Sequence, residues 1–322
     1  MIKNSNIIVL VCALLLSACG VVLDQDTLIE KYTNSHSKFM LLDGNRVHYR
    51  DEGPDLAQVS AQETGQEASY ESLEVIVLLH GTASSLHTWD EWVKGLSKQY
   101  RVIRMDLPGF ALTGPDPENR YEVADDISFL SIFLAELGLD SVHLVGSSLG
   151  GRIAWEYSLA HPDQVKTLTL MNALGYPQLS WPPAIEIAQW PLMDKVMTHL
   201  SPRFLYETGL KEVYFNEAQV TEQVVDRYYE LSRYPGNLDA FPKRVKAKLD
   251  TDANKIANIS VPTLILWGEE DRYFPVESAH RFNQDILNSR LYVYSGVGHL
   301  PMEEAPSRSL SDFLKFIHSG MN

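Results

Sequence analysis

Cysteine is almost absent from this 322-residue chain: there are two, Cys12 and Cys19, both close to the start. No pair is left for the rest of the sequence, so an intramolecular disulfide, a thiolate metal site and a cysteine nucleophile are all excluded there. Positive charge is also scarce, with 27 Lys and Arg against 42 Asp and Glu and a net charge of −15. Without a basic stripe to offset that balance, binding of nucleic acid through phosphate neutralisation is disfavoured. No apolar run approaches the ~20 residues that a bilayer-spanning helix needs. Internal repeats, metal-ligand clusters, a dinucleotide fingerprint and a phosphate loop are likewise not evident, so no metal or cofactor is expected. What remains is a chain with 45% hydrophobic and 21% charged residues, enough for a sizeable core.

The N-terminus reads as a targeting segment. Lys3 precedes the apolar run IIVLVCALLL, residues 7–16, whose length suits a signal-peptide core. Leu16-Ser17-Ala18-Cys19 follows directly and looks like a bacterial lipobox. That resemblance implies a signal peptide over 1–18, lipidation at Cys19, and attachment to a membrane on its periplasmic or extracellular face. Gly20 mildly favours the outer membrane if the cell is Gram-negative. An ordinary signal peptide cut near Ala18 is the alternative.

Residues 19–37 read as a tether with a short helix over roughly 21–35. FMLLDGNRVHYRDEG then reads as a hairpin turning through Asp43-Gly44-Asn45. Residues 54–72 are polar and poor in large apolar groups, as expected of a mobile surface insertion. From residue 75 the pattern alternates. VIVLLH, RVIRMD, SVHLVG, VKTLTLMN, TLILWG and RLYVYSG read as strands, and stretches with apolar residues at helical spacing lie between them. Val123, Ile127, Leu130, Leu134 and Leu137 mark one such helix. This alternation predicts an α/β fold, a mostly parallel sheet flanked by helices on both faces. It is interrupted over 175–242 by a proline- and aromatic-rich block that reads as an inserted helical cap. The α/β core would then occupy 38–174 and 243–322.

One five-residue frame asks for chemistry. Gly146-Ser147-Ser148-Leu149-Gly150 puts Ser148, not Ser147, at the centre of Gly-x-Ser-x-Gly. A serine hydroxyl held at a sharp strand-to-helix turn needs small neighbours so that the backbone can bend. The helix N-terminus there stabilises negative charge. The frame alone is weak. Its place at the end of a predicted strand, opening a helix with Leu149, Ile153, Tyr157 and Ala160 on one face, is what strengthens it. A serine needs an adjacent base. Of ten histidines, only His299 sits in a glycine-flanked loop just after the last predicted strand.

With these residues in view, the chain after about residue 38 resembles the α/β-hydrolase superfamily. LLHGTASS looks like its oxyanion loop, GSSLGG its nucleophile elbow, WGEEDRYFP its acid loop and GVGHLPMEEAP its histidine loop, in the family's order. The resemblance implies a triad of Ser148, Asp271 and His299. Glu269 and Glu270 are rival acids, and Asn172 stands where some relatives carry the acid one strand earlier. It also implies an oxyanion hole from the backbone N–H groups of Thr82 and Leu149, with His80 shaping that loop. Phe110, Leu112 and Met302, in loops on the same edge, are expected to line a substrate pocket. The cap aromatics Trp181, Trp190, Tyr206, Tyr214 and Phe215 could join them or simply pack.

The leading expectation is a serine hydrolase that cleaves a carboxylic ester with an apolar moiety, a small-molecule substrate. The alternatives are a carbon–carbon bond hydrolase of aromatic ring-cleavage products and a catalytically silent binding lipoprotein. Haloalkane dehalogenases and epoxide hydrolases share the capped layout but use an aspartate nucleophile, and Ser148 argues against both.

Overall fold

A computed structural model describes residues 24–55, 72–177, 181, 183–190, 195–196, 201–247 and 252–319. The expected leader over 1–18 and the lipidation site Cys19 lie outside the described residues, as does 56–71 of the expected insertion.

One eight-stranded sheet organises the chain. Its strands are β1 (Ser37–Leu42), β2 (Asn45–Glu52), β3 (Val75–Leu79), β4 (Arg101–Met105), β5 (Val142–Ser147), β6 (Val165–Met171), β7 (Thr263–Gly268) and β8 (Ser289–Tyr294), in the spatial order β1-β2-β4-β3-β5-β6-β7-β8. From β4 to β8 all neighbours are parallel, and β2 runs antiparallel to both β1 and β4. The β1–β2 hairpin turns through Asp43 and Gly44 with φ of 47° and 84°. Two positive φ values at the turn match the right-handed twist of the strands, and glycine takes the second without a Cβ penalty.

The helices are α1 (Gln25–Tyr32), α2 (Asp90–Leu96), α3 (Val123–Glu136), α4 (Leu149–Ala160), α5 (Pro183–Gln189), α6 (Arg203–Val213), α7 (Glu222–Ser232), α8 (Asn237–Lys246), α9 (Val276–Asp285), α10 (Pro301–Glu304) and α11 (Pro306–Ser319). Side chains alternate across the sheet with period two. On β3, Val75, Val77 and Leu79 enter a core with Phe133 of α3, Trp155 of α4 and Phe282 of α9. Ile76 and Leu78 enter a second core with Trp92 of α2 and with Phe313 and Phe316 of α11. β7 divides likewise, with Ile265 and Trp267 on one side and Leu264 and Leu266 on the other. Both faces are therefore covered, as continuous apolar strands require.

Helices α5 to α8 are inserted between β6 and β7. α1 docks on this insertion: Tyr32 and Lys31 both bond Glu230 of α7, and Leu28 and Tyr32 pack with Leu231 and Tyr234. Because β3 and β5 to β8 are parallel, the segments that follow them, at 80–82, 148, 172, 271 and 299, all leave from one edge of the sheet. Among the described residues no helix is long and apolar enough to cross a membrane.

Candidate active site

Ser148 sits between β5 and α4 with φ +54° and ψ −114°, a conformation that a non-glycine residue adopts only under constraint. Its neighbours show why the frame needs glycine. A Cβ on Gly146 would stand 2.2 Å from the Gly150 carbonyl oxygen, and one on Gly150 would stand 2.4 Å from that of Leu79. Strand and helix approach so closely that only glycine fits. A Cβ on Gly81 would be 3.0 Å from Ser148 Cβ, so the loop after β3 lies directly against the nucleophile position.

Asp271 and His299 are both buried, and the imidazole Nδ1 lies 2.7 Å from Asp271 Oδ2. The carboxylate is fully engaged. Oδ1 accepts the N–H groups of Tyr273 and Phe274 at 2.8 and 3.1 Å, and Oδ2 also accepts Asn172 Nδ2 at 2.6 Å. Asn172 in turn accepts the N–H of Gly268 through its side-chain oxygen. The residue that cannot supply an acid thus holds the acid in place, a role sequence reading missed. The rivals do other work: Glu269 is exposed, and Glu270 accepts the N–H groups of Gly296 and Val297, bracing the turn before His299. The His299 N–H donates to the Val213 carbonyl at the end of α6, so the inserted helices reach the histidine loop through the backbone.

Ser148 and His299 line the same cavity, of about 310 Å³, together with Thr82, Leu149 and Phe110. Leu149 opens α4, so its N–H is among the donors left without an intrahelical partner. No hydrogen bond joins the Ser148 hydroxyl to the imidazole among the described residues. His80 is fully buried; its Nε2 accepts the Leu107 N–H at 2.9 Å, and its Nδ1 therefore donates to the Gly81 carbonyl at 2.7 Å. Burial pushes its pKa down to about 4. A neutral ring with both nitrogens occupied braces the loop and moves no proton.

The pocket expectation needs correction. Phe110 lines the cavity, but Leu112 and Met302 do not. Both are fully buried, Leu112 with Leu28, Leu231 and Tyr234, and Met302 with the core under α2 and α11. An apolar residue in an edge loop turned inward in each case. Among the cap aromatics, Trp181 and Tyr206 line the cavity, Tyr214 is buried against Glu303, and Trp190 and Phe215 are exposed. Missed from sequence were the lining residues Asp126, Arg227, Tyr228, Tyr273 and Arg244. Charged residues on helices read as solvated, and nothing local says otherwise. No group of histidines, cysteines and carboxylates suited to a metal ion occurs among the described residues.

A strained serine between strand and helix, facing one cavity with a buried Asp–His pair on the carboxyl edge of a parallel sheet, is the arrangement of an α/β hydrolase. The family profile described as alpha/beta hydrolase fold matches residues 74–306, well over half of the chain, and the protein belongs to that family. Among curated proteins, it is 31% identical over 258 residues to a 2-hydroxy-6-oxo-2,4-heptadienoate hydrolase of Pseudomonas putida, covering 74% of this chain and 88% of the relative. Among solved structures, it is similar in fold to a meta-cleavage product hydrolase from Pseudomonas fluorescens (TM-score 0.70, 23% identity, 88% and 97% of the two chains). It is also similar in fold to a putative lipase from Acinetobacter baumannii (TM-score 0.73, 22% identity, 93% and 97%).

Proposed function

We propose that the protein is a serine hydrolase in which Ser148 attacks the carbonyl carbon of a largely apolar small molecule. The observation that carries this reading is the 2.7 Å Asp271–His299 pair, whose imidazole lines the same cavity as the strained Ser148. In the substrate complex the Ser148–His299 contact closes, and His299 Nε2 takes the hydroxyl proton as the Ser148 oxygen adds to the carbonyl. Asp271 holds the imidazole tautomer and stabilises its charged form. The oxyanion rests on the N–H groups of Leu149 and Thr82, each worth about 2.7–4 kcal/mol of barrier. Collapse expels the leaving group, which receives the proton, and water then releases the acid from Ser148.

The bond broken next to that carbonyl has two readings. Carbon–carbon cleavage of an oxo-dienoate ranks first, supported by the activity in the name of the Pseudomonas putida relative. This reverses the order that the sequence alone suggests. Ester cleavage ranks second. It is favoured by a mainly apolar lining in which neither arginine carries uncompensated charge, Arg227 being paired with Glu303 and Arg244 with Asp126. A panel of short- and long-chain nitrophenyl esters and a ring-cleavage dienoate separates them. Higher kcat/KM on the dienoate supports the first, and turnover of esters alone supports the second. No turnover together with no fluorophosphonate labelling of folded protein would leave only a binding role and sink the proposal.

The N-terminal segment adds a membrane tether at Cys19 to this reading. Cys19→Ser is expected to release soluble protein or stall processing, and unchanged membrane attachment would contradict it.

A further inference from the structure

Two charged side chains in the cavity are not used by the triad. Asp126 lies in the first turn of α3 and Arg244 near the end of α8, and each is only 4% exposed. Arg244 Nη2 bonds both Asp126 oxygens, at 2.7 and 2.9 Å. Its Nε and Nη1 are buried and have no acceptor. A guanidinium has five N–H bonds and stays protonated in proteins, so three of them, one on Nε and two on Nη1, are unspent. Its Cζ lies over the rings of Phe110 and Tyr121, 5.2 and 5.5 Å from their centroids. Arg227, the other lining guanidinium, is more fully used: it bonds Glu303 at 2.6 Å and the His87 carbonyl at 3.4 Å, and only its Nε lacks a partner.

Folded interiors satisfy their buried donors almost without exception. Here the unsatisfied donors belong to a residue that lines the same cavity as Ser148. We propose that Arg244, neutralised by Asp126, forms a binding subsite for an acceptor oxygen of the substrate other than the reacting carbonyl. The chemistry it takes is a carboxylate or an uncharged carbonyl oxygen, since the pair carries no net charge. Phe110 and Tyr121 line the cavity beside the guanidinium. The inference deepens the proposed function and rests on it, because it describes a second point of attachment for the same molecule. An oxo-dienoate offers a carboxylate of this kind; a simple alkyl ester offers nothing.

The test uses nitrophenyl esters of equal acyl length ending in methyl, carboxamide or carboxylate. It pairs kcat/KM on the intact enzyme with calorimetric binding of the matching methyl esters to Ser148→Ala protein, a readout that needs no chemistry. The account predicts that the carboxamide or carboxylate ending beats the methyl ending tenfold or more in both measurements. Whichever of the two wins identifies the source of the oxygen. In the double variant Arg244→Leu/Asp126→Leu, which leaves no lone buried charge, the ratio between endings falls to within threefold. Equal binding of all three endings to Ser148→Ala protein would overturn the proposal, even if the double variant fails to fold. So would a preference that survives in the double variant. If Ser148 proves not to be the nucleophile, the kinetic measurement is silent and the binding measurement still decides.

Discussion

Among the described residues two Ser–His–Asp sets occur, and only one of them opens onto the cavity. In the first, His299 Nδ1 meets Asp271 at 2.7 Å and Ser148 faces the same cavity. In the second, His48 Nδ1 meets Asp106 at the same 2.7 Å, and His48 Nε2 lies 3.1 Å from Ser37 Oγ. By side-chain geometry alone the second is the more complete. It differs in everything around it. His48 and Asp106 are wholly buried, and neither they nor Ser37 lines the cavity. Ser37 lies in the regular strand β1, with no strained turn and no helix N-terminus beside it. Its hydroxyl oxygen already accepts the N–H of Asn34 and Nε of Arg50. Asp106 also accepts the N–H groups of Leu86 and Leu112, pinning two loops to the sheet. Burial alone would raise its carboxyl, but His48 beside it holds the pKa down to about 2. A hydrogen-bonded triad is thus a structural strut unless substrate can reach it and donors await the oxyanion.

The sharpest break in this comparison is at the serines. Ser148→Ala is expected to lower kcat by about 10⁴–10⁶-fold, whereas Ser37→Ala leaves kcat within about twofold, both measured on the best substrate of the panel. The acids come next. Asp271→Asn disturbs the tautomer and lowers kcat by roughly 10⁴-fold; the amide oxygen keeps the N–H bonds of Tyr273 and Phe274, while its NH2 cannot accept from Asn172 or His299. Asp106→Asn is expected to spare kcat. It breaks a buried pair and costs about 3–5 kcal/mol of stability in denaturant melts, while protein that remains folded still labels at Ser148. Equal kinetic damage from the two acid substitutions would erase the distinction.

A further effect is in pH. Burial holds His80 at about 4 and His87 at about 3, below the ordinary 6.5. The unfolded chain takes up a proton at each as pH falls below 6.5, and the folded protein does not. Stability is therefore complete above about pH 6.5 and falls from there towards pH 4, by about 1.4 kcal/mol per pH unit for each proton. Asp106 adds a further loss between pH 3.8 and about 2. Denaturant midpoints measured from pH 8 to 4 check the sign, and a flat profile would contradict it.

The candidate catalytic edge was far more legible in the sequence than the strut. β7 falls where the apolar run TLILWG puts it, because a strand buried on both faces reads as a nearly continuous apolar run. Ser148 and His299 stand out because their loops need glycines, and close backbone approach leaves a mark in the sequence. The chain Ser37–His48–Asp106 leaves none. It depends on β2 lying antiparallel against β4, which places the His48 carbonyl against the Asp106 N–H. Arg244 and Asp126 were hidden for the same reason, being a charged pair joined across 118 residues by tertiary packing. Leu112 and Met302 show the converse: apolar character says that a side chain is covered, not whether ligand or protein covers it.

On the proposed function, access and strain at Ser148 decide which serine reacts. Labelling the folded protein with a fluorophosphonate and mapping the adduct by mass spectrometry tests it most directly. The account predicts a single adduct on Ser148 that disappears in Ser148→Ala. An adduct on Ser37, or labelling undiminished in Ser148→Ala, would contradict it.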